Sequence, residues 1–255
     1  PCVIMWSIGN EVPEQSCRQG SLLAQRLSDI CHREDPTRPS TAGYNQARDA
    51  AANGLGDAVD VVGLNYEHAG YERFRQEHPH WIVYGSETDS CMSSRGVYDT
   101  RLVDACQQQK GDTTRAPNSL TDASVRAGNP VTAVKRDDLQ VTSWDTVGMT
   151  APDYEFAAQQ DFPWLLGQFV WTGFDYLGEP APYQSEWPSR SSYFGIFDTC
   201  GFPKDRYYLY KCQWADTPVL HLLPHWTWPG ADGKTLPVLC YSTYPAAELF
   251  VNGRS

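Results

Sequence analysis

Short apolar runs that each lead into a polar or acidic residue set the strongest limit on how this chain can fold. Val3–Ser7 runs into Gly9-Asn10-Glu11, Val61–Asn65 ends beside Tyr66, Trp81–Ser86 ends at Glu87, and Gly167–Trp171 leads to Asp175. Pro39–Gly43 is a weaker run of the same kind. Strands of about four to six residues alternating with helices read as parallel βαβ units, apolar because both faces are covered. Ser21–His32 carries Leu23, Leu27 and Ile30 at helical spacing with Leu22 alongside, and Asp35-Pro36 stops it. Tyr71–His78 and Arg206–Trp214 are further helix candidates. The pattern predicts an α/β fold with its polar groups at the C-terminal strand ends. In a (β/α)8 barrel those ends converge on one mouth; an open doubly wound sheet uses the same edge. Five strands are too few to close a barrel, so the barrel reading places three more upstream of Pro1.

Two stretches depart from this alternation. Residues 92–152 are polar, rich in Ser, Thr, Asp and Gly, and far longer than the roughly 12–15 residues of an ordinary loop. Following Glu87, this insertion is expected to overhang the mouth, with Tyr98 and Trp144 as its substrate-facing rings. From about Leu220 the character changes again. Leu236–Ser242 and Ala247–Val251, punctuated by Pro229-Gly230, Asp232-Gly233 and Asn252-Gly253, read as short antiparallel strands. The expected division is therefore a barrel portion over 1–219 and the beginning of a β-sandwich over 220–255. The chain starts within an apolar run and stops after a turn signal, which reads as a fragment whose targeting signal lies elsewhere.

Composition narrows the partners. The net charge of −11 opposes affinity for phosphate backbones, so nucleic acid is not an expected partner. No window approaches the roughly 18 apolar residues of a membrane span. Aromatic residues make up 13% of the chain, and Trp and Tyr offer the flat faces with a polar edge that suit a sugar ring. The eight cysteines form no CxxC pair, and most are expected as small buried hydrophobes.

Glu11 and Glu87, each at the end of an apolar strand, are the residue types that glycoside cleavage requires. One carboxyl protonates the leaving oxygen, and the other attacks or activates water. Read locally, either could equally be a strand exit or a polar turn. Other chemistries find less support. Gly54-Leu55-Gly56 lacks the third glycine of a phosphate loop, and neither HExxH nor GxSxG occurs. His78-Pro79-His80 has metal-ligand residue types, but it lies in a loop before a strand with no acidic partner nearby in sequence, so no metal is expected there. His68 reads equally as a substrate contact or a packing residue.

Four motifs in order resemble a known family. Trp6-Ser7-Ile8-Gly9-Asn10-Glu11 resembles the fourth-strand Asn-Glu motif of retaining glycosidases, and Tyr84-Gly85-Ser86-Glu87-Thr88 the seventh-strand nucleophile motif. Gly167–Pro180, followed by Ser192-Tyr193-Phe194-Gly195 and Gly201-Phe202-Pro203-Lys204-Asp205, resembles the eighth strand and following loop of glycoside hydrolase family 2, in its β-galactosidase-like branch. That resemblance implies strands 4–8 of a (β/α)8 TIM barrel followed by the start of an immunoglobulin-like β-sandwich. It implies Glu11 as acid/base, Glu87 as nucleophile, and Asn10 as the partner of the sugar 2-hydroxyl. Tyr66 would donate to Glu87, Trp171 would floor the sugar subsite, and Asp175 and Glu179 would accept from sugar hydroxyls.

The implied substrate is a terminal β-galactoside or related oligosaccharide, cleaved by double displacement without a cofactor; a stimulating cation is left open. A β-glucuronidase or β-mannosidase of the same family is the alternative, although the Asn-Lys motif expected of glucuronidases is not evident after Asn65. From another class, a non-catalytic carbohydrate-binding or scaffold module remains a reading. A homo-oligomer is compatible with either, and family analogy points to a periplasmic or extracellular location.

Overall fold

The computed structural model describes residues 2–91, 93–98, 134–135, 140–141, 152–178, 191–233 and 238–255. In chain order the first elements are β1 (Trp6–Asn10), α1 (Gly20–Glu34), β2 (Ser40–Tyr44), α2 (Ala47–Ala52), β3 (Val61–Asn65), α3 (Tyr71–Glu77) and β4 (Ile82–Thr88). Two-residue strands β5 (Val134–Lys135) and β6 (Gln140–Val141) follow. The remainder are α4 (Pro152–Asp161), β7 (Gln168–Val170), α5 (Asp205–Trp214), β8 (Leu220–Leu223) and β9 (Leu239–Ser242). The chain divides into two compact units, one of residues 1–90 and 149–171 and the other of residues 91–148 and 172–255.

The first unit is built on a parallel sheet in the order β1-β2-β3-β4-β7. Every residue of β2 and β3 is buried, as strands covered on both faces must be. Polar side chains of β2 are satisfied within the sheet and its cover. Ser40 Oγ pairs with Ser28 Oγ at 2.7 Å, and Thr41 Oγ1 donates to the Val61 carbonyl at 2.7 Å. Small residues set the packing distance on one side, with Ala24, Ala42, Ala47 and Ala50 beside Leu55, Val62, Leu64, Phe74, Trp81 and Val83. On α4, the buried Glu155 accepts from the Tyr71 hydroxyl at 2.8 Å, which ties that helix to α3.

Several expectations are corrected here. The first strand runs over Trp6–Asn10 rather than Val3–Ser7, because its ladder begins where Trp6 meets Ser40. Helix α1 forms as predicted, but its apolar stripe does not face the sheet. Leu22, Leu23 and Ile30 are exposed, and Gly20, Ala24 and Ser28 are buried. These three lie four residues apart on one face, where small side chains and the Ser28–Ser40 bond allow close approach. Among the seven described cysteines, Cys91 is buried while Cys2, Cys17 and Cys200 are exposed.

The second unit contains α5, the antiparallel pair β8–β9 and the two-residue pair β5–β6. The antiparallel tail matches expectation at Leu239–Ser242, but Ala247–Phe250 has no ladder partner among the described residues. Only Val251 bridges to Arg254, across the Asn252-Gly253 turn. Buried cations replace part of an apolar core in this unit. Lys204 donates to Asp175 Oδ1 at 2.7 Å and also to the Ser93 and Tyr193 carbonyls. Arg206 donates to the carbonyls of Cys91, Phe194 and Gly195. Tyr98, expected to face substrate, bonds Asp205 through its hydroxyl, and its ring contacts those of His225 and Trp228. Trp144 lies outside the described residues. Among the described residues no helix is long and apolar enough to cross a membrane.

Candidate active site

Three strand ends of the first unit bring the polar residues together. At each of them the backbone leaves regular geometry. The ladders shift register between Ser7 and Asn10, between Leu64 and Asn65, and between Gly85 and Thr88. Glu11, Tyr66 and Asp89, which follow β1, β3 and β4, adopt φ of +50°, +58° and +55°. Non-glycine residues in this left-handed region carry strain of about 1–3 kcal/mol each and persist where their surroundings hold them. Here the holders are backbone bonds to the neighbouring strand: Glu11 N–H to the Gly43 carbonyl at 3.0 Å, and Tyr66 N–H to the Glu87 carbonyl at 2.9 Å.

Asn65, only 2% exposed, is the centre of the arrangement. Its amide Nδ2 lies 2.9 Å from Glu11 Oε1, 3.0 Å from Asn10 Oδ1 and 3.4 Å from Glu87 Oε2. Two N–H groups thus serve three acceptors, and the longest contact is the weakest. The Ser86 hydroxyl donates to Asn65 Oδ1 at 2.5 Å, which fixes which end of the amide points at the glutamates. Because one nitrogen reaches both carboxylates, Glu11 Oε1 and Glu87 Oε2 can be no further apart than the sum of its two contacts, 6.3 Å.

Glu87 receives further donors. Asn10 Nδ2 donates to its Oε2 at 3.1 Å, and the Tyr66 hydroxyl donates to its Oε1. Donors converging on a carboxylate favour its charged form. Burial, reinforced by the bond to Glu87 and its charge, pushes the Tyr66 phenol well above its ordinary range, so Tyr66 remains a donor. Gly43 makes room for the cluster: a methyl there would overlap Asn10 Oδ1 and stand 2.9 Å from Asn65 Oδ1.

The structure therefore brings Asn10, Glu11, Tyr66 and Glu87 together, 77 positions separating Asn10 from Glu87. Trp171 follows β7, half-buried, with its N–H on the Thr88 carbonyl at 2.8 Å, next to Glu87 in sequence. Asp175 belongs to the second unit, where its Oδ1 accepts from Lys204 and from the Gly195 N–H at 2.8 Å. Glu179 lies outside the described residues. His68 is half-buried in the turn after Tyr66, and burial lowers its imidazole from the ordinary value. Sequence reasoning placed Asn65 beside Tyr66 at a strand end without giving it a role, and it missed Ser86. The available signal was an Asn closing an otherwise apolar, fully buried strand.

No protein-family model matches the chain, so relatives carry the assignment. The chain is 34% identical over 293 aligned residues to beta-galactosidase BoGH2A of Bacteroides ovatus, an alignment covering all of this chain and 32% of that protein. A beta-glycosidase from Bacteroides vulgatus superposes with a TM-score of 0.69 at 31% identity, over 99% of this chain and 31% of that one. A glycosyl hydrolase family 2 member from Bacteroides cellulosilyticus gives 0.64 at 25% identity, over 100% and 29%. The chain thus spans about a third of the length of these relatives. From end to end the chain is similar to members of glycoside hydrolase family 2.

Proposed function

We propose that this chain carries the catalytic pair of a retaining β-glycosidase acting on terminal β-galactosides. The observation that carries the reading is the Asn65 amide bridging Glu11 and Glu87. Carboxyl groups about 5–5.5 Å apart permit direct attack on the anomeric carbon, whereas inversion needs about 6.5–9.5 Å to admit a water. The 6.3 Å ceiling supports retention.

In this scheme Glu87 attacks the anomeric carbon while Glu11 gives its proton to the departing oxygen. The bond from carbon to leaving oxygen breaks as the ester to Glu87 forms. Water then attacks the same carbon, Glu11 takes its proton, and Glu87 is released. Donors on Glu87 hold it charged and aimed before attack, which is the positioning contribution to rate. Asn10 would exchange its bond to Glu87 for one to the sugar 2-hydroxyl as the oxocarbenium ion develops. Trp171 retains its proposed substrate-binding role within this reading, and no cofactor takes part; Asp175 instead serves as the buried partner of Lys204.

The same reading makes β1, β2, β3, β4 and β7 the fourth to eighth strands of a (β/α)8 barrel, with β8–β9 opening an immunoglobulin-like sandwich. Parallel order along the chain and polar strand ends support it, as do exposed apolar residues at both end strands, Trp6 on β1 and Phe169 on β7.

Reaction with a 2-deoxy-2-fluoro-galactosyl fluoride tests the chemistry. One covalent label per protein on the peptide holding Glu87 is expected. Measurable sugar affinity without labelling by any glycosyl fluoride would favour a binding module and overturn the proposal. A panel of chromogenic glycosides decides the sugar: selective release from galactosides is expected, and selective release from glucuronides or mannosides would replace that assignment within the same mechanism.

A further inference from the structure

Away from the glutamates, at the opposite end of β4, the fold joins two histidines to an acid that their sequence neighbourhood lacks. We propose that Asp57, His78 and His80 bind a divalent transition-metal ion of the zinc class. One ligand atom from each of the three lies within 4.8 Å of the others, and His80 Nε2 stands 2.8 Å from Asp57 Oδ1. Around an ion with bonds of about 2.0–2.2 Å, ligand atoms sit about 3–3.5 Å apart, so a small rotation of side chains closes the set. The side chains of His80 and Asp57 are 65% and 50% exposed, which leaves room for that rotation.

The scaffold around these groups is ordered for the task. His78, Pro79, His80 and Trp81 form a turn closed by Trp81 N–H on the His78 carbonyl at 3.0 Å. Pro79 holds its second position, where a fixed φ suits such turns. Arg75 Nη1 donates to the Pro79 carbonyl at 2.8 Å, which engages the nearby guanidinium in locking the loop. The His78 ring stacks on Trp81 with centroids 4.0 Å apart, and Trp81 Nε1 donates to Asp57 Oδ1 at 2.7 Å. Bonds of this second kind orient a ligating carboxylate, and their loss weakens metal sites about 10–100-fold. Two imidazoles and one carboxylate, with the remaining position open to water, match the borderline donor preference of zinc, cobalt and nickel.

The site lies about 20 Å from Glu87 by the rise of the intervening strand. No element of the glycosidase scheme enters it, so the ion would act by fastening the turn after α2 to the turn before β4. This inference stands independently of the glycosidase reading.

Cobalt titration of protein first treated with a chelator is the direct test, because it separates this site from the exposed thiols. One equivalent should bind with visible absorption bands of nitrogen and oxygen ligation and without a thiolate charge-transfer band. His78→Ala and His80→Ala should each weaken binding at least about tenfold. Asp57→Asn, which keeps an acceptor for Trp81, should do the same while leaving the circular dichroism spectrum unchanged. Zinc should raise the melting temperature of the parent and not of the double histidine variant. Cobalt affinity unchanged in the histidine variants, binding through thiolate alone, or no binding at millimolar cobalt would each overturn the proposal.

Discussion

Asn65 shows how much of this site rests on one buried amide. Its contacts hold Glu11 Oε1 and Glu87 Oε2 within 6.3 Å of each other, and in the proposed reaction a displacement of about 1 Å at such a centre would slow the rate about 100-fold. Asn65→Ala should therefore lower kcat/KM by about 100-fold while the protein still folds, with most of the loss in kcat. Tyr66→Phe removes one donor from Glu87 and should reduce kcat by about 100-fold, the scale of losing one preorganised donor. Steady-state kinetics on an aryl galactoside measure both, and wild-type rates in either variant would separate that residue from catalysis. Tyr66 and Asn10 were legible as polar residues at strand ends. The role of Asn65 was not, because a buried Asn in a strand has many partners in principle and only the folded neighbours select among them.

At the scale of elements, α1 carries the clearest lesson. Helical spacing of Leu23, Leu27 and Ile30 identified the helix, while the face it turns to the sheet is the one with Gly20, Ala24 and Ser28. Periodicity reports that a helix is amphipathic; the space available against the sheet decides which residues enter it. Ala24→Leu should therefore destabilise the protein by about 1–3 kcal/mol through overpacking, while Leu22→Ser at an exposed position should change stability by less than about 0.5 kcal/mol. Urea denaturation compares the two, and the reverse ranking would show the opposite face to be buried. Asp60 supplies a pH-dependent tie between elements. Its carboxylate accepts from the Ser40 backbone N–H at 2.7 Å and pairs with His32 Nε2 at 2.6 Å. Partial burial opposes its charge, but the bonds from Ser40 and His32 prevail and lower it from the ordinary value of 3.8. A carboxyl lowered on folding adds stability above its unfolded value, and that stability fades as pH falls through the folded one. Asp60→Asn should thus shift the melting temperature downward at pH 7, and that difference should fade as pH falls below the ordinary carboxyl value and through the lowered folded one.

Across the whole molecule, the two units are stabilised by different means. The first buries Ala, Val, Leu and aromatic side chains around a parallel sheet, and the second relies on Lys204 and Arg206 buried to 1% exposure. Lys204→Met should destabilise the protein by about 3–5 kcal/mol, because Asp175 would be left buried without its cation. Calorimetry should show a lowered or lost transition, and an unchanged profile would mean that the pair contributes little. The order of residues alone determined the alternation of strands and helices, the antiparallel tail and the two candidate glutamates. Those features are written in local periodicity and in what stands at the end of each run. Tertiary structure alone decided that Asn65 joins Glu11 across 54 positions, that α1 packs through its small residues, and that Asp57 meets His80 across 23. Such contacts depend on strand register and on backbone strain at strand ends, which arise only when distant segments pair and leave no periodic trace along the chain.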